Sequence, residues 1–267
     1  PALFFARKNH LSDLVSDMIR PDLSYLSKVL TPLFYTLQMS VCGTILGSVL
    51  GLLTAPFGAV SLQFPTALRR LIRLVIQVLR SFPALVLALL ATFLFGLGTF
   101  AGTFAITLYT FAIMTKLTYE DADAACTAAY RSLRSMGCAS FPAFIHAVLP
   151  EILPSYLTNA LYLLETNVRQ SSILGYVGAG GIGLILNEKI SWREFHKVGA
   201  ILLLLFLAVC VIESISRALS GLIRREFLLQ PSSGLHRKYM LRLLSLALIF
   251  LFACCLITQT PPDFSHT

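Results

Sequence analysis

Long apolar runs separated by short polar or basic stretches set the rhythm of this chain. The first covers about Leu33–Val60; Phe82–Gly98 and Thr99–Leu117 follow, divided by Gly96, Gly98 and Gly102. Ser155–Ile173, Val198–Leu219 and Tyr239–Ile257 complete about six predicted helical spans. Most of these runs come close to the roughly 20 residues that a helix needs to cross about 30 Å of hydrocarbon. Within the first run, Thr36, Ser40, Gly43, Gly47 and Gly51 recur about one helical turn apart. Small residues so spaced let helix backbones approach closely in lipid, whereas a solvated helix is weakened by interior glycines.

The stretches between the runs differ in kind. Residues 1–32 are mixed polar and apolar, with a turn at Pro21-Asp22, and read as a periplasmic or interfacial segment. Ala67–Arg80 sets Arg69, Arg70, Arg73 and Arg80 among Leu, Ile and Val, an amphipathic basic helix suited to the cytoplasmic membrane surface. Residues 118–154 open on Glu120, Asp121 and Asp123, continue as amphipathic helices and reach Pro150 and Pro154; they are expected to form a cytoplasmic helical loop. Residues 174–196 are glycine-rich, then polar.

Composition agrees with a membrane location. Of 267 residues, 56% are hydrophobic and 13% charged, and the mean hydropathy is +0.77; soluble domains carry about 25% charged residues. The net charge of +8 suits basic cytoplasmic loops better than nucleic acid. With 61–81, 118–154 and 217–242 inside and 1–32, 99–102, 174–197 and 259–267 outside, and with Lys116 counted inside and Arg169 outside, 13 Lys and Arg stand against 8. That is the sense of the positive-inside rule. Of the six cysteines, Cys42, Cys210, Cys254 and Cys255 lie in apolar runs, and Cys126 and Cys138 in the reducing cytoplasm. Neither a disulfide nor a metal site is expected.

The chemistry-bearing patterns are two. Arg131-Ser-Leu-Arg-Ser-Met-Gly137 is followed by Ala143-Phe-Ile-His-Ala-Val-Leu-Pro150. A short helix, a glycine-permitted turn and a second helix stopped by proline would make a rigid knob. The second pattern is Glu165-Thr-Asn-Val-Arg-Gln-Ser-Ser-Ile-Leu-Gly-Tyr-Val-Gly-Ala-Gly-Gly-Ile-Gly183. Its Gly178-Ala-Gly-Gly-Ile-Gly183 fits GxGxxG, but no strand precedes it and no βαβ alternation surrounds it, so a dinucleotide site is rejected. A turn at the outer mouth is the better reading. Glu165 and Arg169 are four apart, so on a helix they can neutralise each other. Alternatively Arg169, with Asn167, Ser171 and Ser172, lines an anion path, since Arg offers an oxyanion bidentate donors.

The first pattern resembles the coupling loop of ABC importer permeases, in which a Glu-Ala-Ala triplet precedes a glycine and a Leu-Pro pair follows; Arg131 stands at the family's Glu position, and Gly137, Leu149 and Pro150 match. The second, with Arg80-Ser-Phe-Pro83, Gly96-Leu-Gly-Thr-Phe-Ala-Gly102 and Met114-Thr-Lys-Leu117, is similar to the phosphonate-importer (PhnE-like) permeases over roughly residues 15–228. The resemblance implies an all-α polytopic transmembrane bundle of the type I importer kind. Its transmembrane domain is expected over 33–228, with the coupling loop at 118–154 and an extra C-terminal span in 229–267. It implies an inner-membrane, multi-pass transport subunit and not an enzyme. Such a subunit would move phosphonate, phosphite or a phosphate ester; methionine or another amino acid is the alternative cargo, and a non-transport scaffold ranks lower.

No cofactor is expected in this chain, because ATP and Mg would be bound by a partner. The implied partners are a cytoplasmic ATPase dimer, a periplasmic or lipid-anchored substrate-binding protein, a second permease copy or paralogue, and membrane lipids. ATPase coupling is expected from Arg131, Gly137, His146, Leu149 and Pro150. The translocation pathway is expected from Arg80, Ser81, Glu165, Asn167, Arg169, Ser171, Ser172, Gly178, Gly180, Gly181 and Gly183. Arg80 also reads as a snorkelling interface residue, and His146 as a surface polar one. The family's first span has no counterpart after Pro1, and Arg237–Thr267 resembles the start of a second permease; a tandem or permuted gene or a truncated chain would account for both.

Overall fold

The computed structural model describes residues 16–62, 64–125 and 128–229, with side chains to residue 223. Nine α-helices are delimited there: α1 Leu26–Gly58, α2 Thr66–Ser81, α3 Ala84–Phe95, α4 Thr99–Ala124, α5 Ala128–Ser135, α6 Ser140–Ala143, α7 Leu149–Leu174, α8 Ile182–Ser191 and α9 Phe195–Leu229. The described residues contain no strand, so the all-α expectation holds and the GxGxxG match has no sheet to serve.

Helices α1, α4 and α9 are long and apolar enough to cross a membrane, and α2 with α3 would add a fourth if that broken pair is one span. The predicted span Phe82–Gly98 shrinks to α3, whose 12 residues reach about 18 Å. Pro83 is its N-cap, and α2 meets it at 95°. The predicted span Ser155–Ile173 lies inside α7, which is long enough at 26 residues but carries Glu151, Glu165 and Arg169 and does not reach the same apolarity. Tyr239–Ile257 lies outside the described residues.

The small-residue stripe of α1 packs against α4. A Cβ on Gly43, Gly47 or Gly51 would meet Ile106, Thr110 or Met114, at 2.6, 2.6 and 2.9 Å. The two sets share a four-residue step, so one helix lies along the other with backbones in near contact. Gly47→Leu should therefore separate α1 from α4 and lower the midpoint of thermal unfolding in detergent by several degrees, because the Thr107 carbonyl 2.7 Å from that Cβ is backbone and cannot rotate away. Cys42 is buried in α1, and Cys138 and Cys210 are free thiols.

Apolar clusters divide by level. Val29, Leu33, Ile182, Leu186, Val198 and Ile201 join the start of α1 to α8 and α9. Ala55, Ala59, Leu62, Tyr119, Ala122, Tyr130, Phe144, Val148 and Ile152 gather at the opposite end, where α1 and α4 finish.

Candidate functional site

The knob is built from residues 128–150. Helix α5 ends on a left-handed residue, Gly137 at φ +88°. The Cys138 N–H donates to the Leu133 carbonyl and the Gly137 N–H to the Arg134 carbonyl, both at 3.1 Å. This 6→1 and 5→2 pair closes the helix in a Schellman turn. The Arg134 guanidinium adds a 2.6 Å bond to the Cys138 carbonyl. Gly137 is exposed, and a Cβ there would touch nothing, so glycine is required by backbone conformation alone. An L side chain pays about 1–2 kcal/mol in that region. Gly137→Ala should speed limited proteolysis of the knob, while Gly137→Asn, which tolerates the left-handed region better, should stay near wild type.

Beyond the turn, Phe144–Val148 forms a π-helical turn that sends Phe144 and Val148 into the core and leaves His146 outward. Pro150 does not stop a helix, as the sequence suggested; it sits in the first turn of α7. A proline lacks an N–H that would be unpaired there in any case. Arg131 is exposed on α5, and Leu149 and Pro150 are half-buried.

An ion-pair clamp fastens this end of the bundle. One Asp123 carboxylate oxygen accepts from the Val60 and Ser61 N–H groups at 2.7 and 2.8 Å. The other pairs with Arg73 at 3.1 Å. The Arg73 Nε donates to the Gly58 carbonyl at 2.8 Å, and its guanidinium lies 4.7 Å from the centre of the Tyr119 ring. The α1–α2 connection, α2 and the end of α4 are thus tied through one carboxylate. Sequence spacing carried no sign of a pair 50 residues apart.

The residues expected on the pathway fall into four places. Asn167 and Ser171 are fully buried. The Asn167 amide donates to the Thr44 and Thr110 hydroxyls, each at 2.8 Å, so it binds α7 to α1 and α4. Its Oδ1 has no partner. Another side of α7 holds the mostly covered Glu165 and the exposed Arg169, paired at 2.8 Å, with the Ser172 hydroxyl donating to the Arg169 carbonyl at 2.8 Å. Near Glu165 an open cleft of about 360 Å³ is lined by Thr158, Tyr162, Glu165, Ser216, Arg217, Ser220 and Gly221. A 3.6-residue period puts 165, 169 and 172 on one face and 167 and 171 on another. Arg80 and Ser81 sit exposed at the end of α2; the Ser81 hydroxyl donates to the Val78 carbonyl at 2.7 Å.

Gly178, Gly180 and Gly181, all at positive φ, turn the chain between α7 and α8. The Gly98 N–H donates to the Gly178 carbonyl at 3.0 Å, joining this turn to the α3–α4 turn, and the Ile182 N–H donates to the Thr36 hydroxyl at 2.8 Å. Gly183 faces the backbone of α7, where a Cβ would strike the Ser172 carbonyl and lie 2.7 Å from the Gly175 Cα.

At the same end, Lys189 bonds Glu188 at 3.0 Å and Glu194 at 3.2 Å, and lies 4.2 Å from the Trp192 ring centre. Lys197 reaches Glu194 at 2.8 Å. Hydrogen bonding, chiefly from Lys197, holds the Glu194 carboxyl below its ordinary 4.5. The bond to Glu188 holds the Lys189 ammonium above its ordinary 10.5. The carboxylate's contribution is complete above 4.5 and lost as pH falls through its lowered value; the ammonium's is complete below 10.5 and lost as pH rises through its raised value. Trp192 is the single tryptophan. Its emission should stay level from about pH 5 to about pH 10 and shift only beyond those limits; a transition near neutrality would contradict the arrangement.

Residues 47–226 match the family described as binding-protein-dependent transport system inner membrane component. The chain is 30% identical over 217 residues to a phosphite transport system permease protein, PtxC, of Stutzerimonas stutzeri, covering 81% of this chain and 78% of that one. It is 34% identical over 181 residues to a phosphate-import permease protein, PhnE, of Mycolicibacterium smegmatis, covering 68% of this chain and 34% of the relative. Its fold is similar to a chain of the inward-facing MetNI methionine ABC transporter, with a TM-score of 0.66 at 20% identity, over 76% of this chain and 99% of that one. The apolar helices of this bundle, and a match that covers most of its length, place the chain in the family of binding-protein-dependent transport system inner membrane components.

Proposed function

We propose that this chain is the membrane-spanning subunit of an ATP-driven importer for phosphorus oxyanions: phosphonate, phosphite or a phosphate ester. The observation that carries the reading is the likeness to phosphite and phosphate permeases at 30% and 34% identity. Arg169, exposed on α7 beside Glu165, suits such a cargo, because a guanidinium donates two parallel bonds to an oxyanion. The pairing and the path are compatible: Glu165 neutralises Arg169 when no substrate is present and yields it to the anion.

The transmembrane domain spans 33–228, and the 118–154 segment faces the cytoplasm with Gly137 at its tip. Arg131, Gly137, His146, Leu149 and Pro150 form the surface for a partner ATPase, which binds the ATP and Mg. A substrate-binding protein delivers cargo on the other side, and a second copy or a paralogue completes the pathway. Arg80 and Ser81 serve its cytoplasmic approach, and Gly178, Gly180, Gly181 and Gly183 form the turn at its outer mouth. Asn167 contributes by holding α7 against α1 and α4, and Ser171 lies buried on the same face, its hydroxyl donating to the Val168 carbonyl.

The test is uptake into vesicles reconstituted with the ATPase and the binding protein. ATP-dependent accumulation of phosphite or phosphonate, with no competition from methionine, is expected. Arg169→Gln should lower it about tenfold or more, the worth of one lost charge-assisted contact. Uptake of no phosphorus oxyanion would overturn the reading.

A further inference from the structure

Helix α2 divides into three faces. With 3.6 residues per turn, Arg69, Arg70, Arg73, Gln77 and Arg80 share an arc of roughly 120°. A second arc turns Ile76, 2% exposed, onto the protein. The third holds Leu71, Leu74, Val75 and Val78, exposed by 61, 61, 43 and 48%. The helix spans 16 residues, about 24 Å. It meets α3 at 95°, so it does not continue that helix along one axis. Arg73 is committed to Asp123, whereas no ion pair among the described residues involves Arg69 or Arg70.

We propose that α2 is an interfacial anchor for anionic phospholipid, with Leu71, Leu74, Val75 and Val78 among the acyl chains and Arg69 and Arg70 on headgroup phosphates. An apolar arc bordered by a basic one is the surface that an anionic leaflet complements. A second copy packed face to face would bring two arginine arcs together, which electrostatics disfavours. The helix is rooted in the protein by Ile76 and by the Arg73–Asp123 clamp, whose Tyr119 shares an apolar cluster with Tyr130 under the knob. Lipid held by α2 therefore stiffens the base of the coupling segment. This last step rests on the transport reading above; the lipid contact does not.

The experiment is native mass spectrometry of the full chain purified from membranes containing phosphatidylglycerol and phosphatidylcholine. Wild type should retain phosphatidylglycerol preferentially. Arg69→Gln with Arg70→Gln should lower the ratio of the two lipids at least about fivefold, and Arg69→Lys with Arg70→Lys should keep it. Equal ratios in wild type and the glutamine variant, or no preference in wild type, would overturn the proposal. So would ready capture of Val75→Cys as a dimer through that cysteine. In reconstituted vesicles, uptake that rises with phosphatidylglycerol only in wild type extends the contact to coupling; failure of uptake altogether would bear on the transport reading, while the lipid ratio would still decide this one.

Discussion

Gly183→Ala should cost about 3 kcal/mol or more, the upper range for overpacking a filled site. The atoms that an added Cβ would strike are the Ser172 carbonyl oxygen and the Gly175 Cα and N. All are backbone, so no side chain can swing aside. The reciprocal is also true: a Cβ on Gly175 would lie 2.5 Å from the Gly183 Cα and 2.8 Å from the Gly180 carbonyl. The end of α7 and the start of α8 therefore cross with only two glycines between them. Relief requires α8 to move, and α8 carries Ile182 and Leu186 of the core. For a chain of this size the expected fall in unfolding midpoint is about 10 °C. Trp192 follows α8 directly, so its emission should change as well. A midpoint within about 2 °C of wild type, with unchanged emission, would show that the crossing is looser than described.

Asp123→Ala should be the second largest effect, at about 2 kcal/mol. The Arg73 pair is partly exposed, with side chains 37% and 25% accessible, and such a pair contributes under about 1 kcal/mol. Most of the cost comes from the Val60 and Ser61 N–H groups, which lose their acceptor. Asp123→Asn separates the two parts, because an amide oxygen can still accept both N–H bonds while the charge is gone; it should lose less than half as much. The functional consequence is specific in place. With the clamp open, the α1–α2 connection loosens beside the cluster that supports the knob. ATP-dependent uptake should fall more than ATP hydrolysis by the reconstituted complex. Equal losses of both, or a silent Asp123→Ala, would remove the clamp from the coupling argument.

Much of the architecture was legible because lipid imposes simple rules on local sequence. The stripe Thr36, Ser40, Gly43, Gly47 and Gly51 announced a close helix contact, and Gly43, Gly47 and Gly51 lie against α4. Gly137 announced a turn, and the chain makes one there with a left-handed residue. Reading was weaker where a residue had two uses. Pro150 was read as a helix stop, yet it starts α7, since proline is compatible with the first turn as well as with termination. The apolar count alone did not distinguish α3, a 12-residue helix joined at 95° to α2, from a complete span. On α7, proximity in sequence grouped Asn167 with Arg169, but a helix separates neighbours two apart by most of a half turn.

From its order of residues alone, the chain determines that it is helical, membrane-bound and built around a glycine-hinged knob and a glycine-rich turn. Periodicity, length and backbone permission act within one segment and need no partner. Which polar groups meet was decided only in three dimensions: Asp123 with Arg73 and two backbone amides, Asn167 with Thr44 and Thr110, and Gly183 with Gly175. The reason is physical. A buried polar group must find a donor or acceptor wherever packing supplies one, and helix packing brings together residues dozens of positions apart whose spacing obeys no local period.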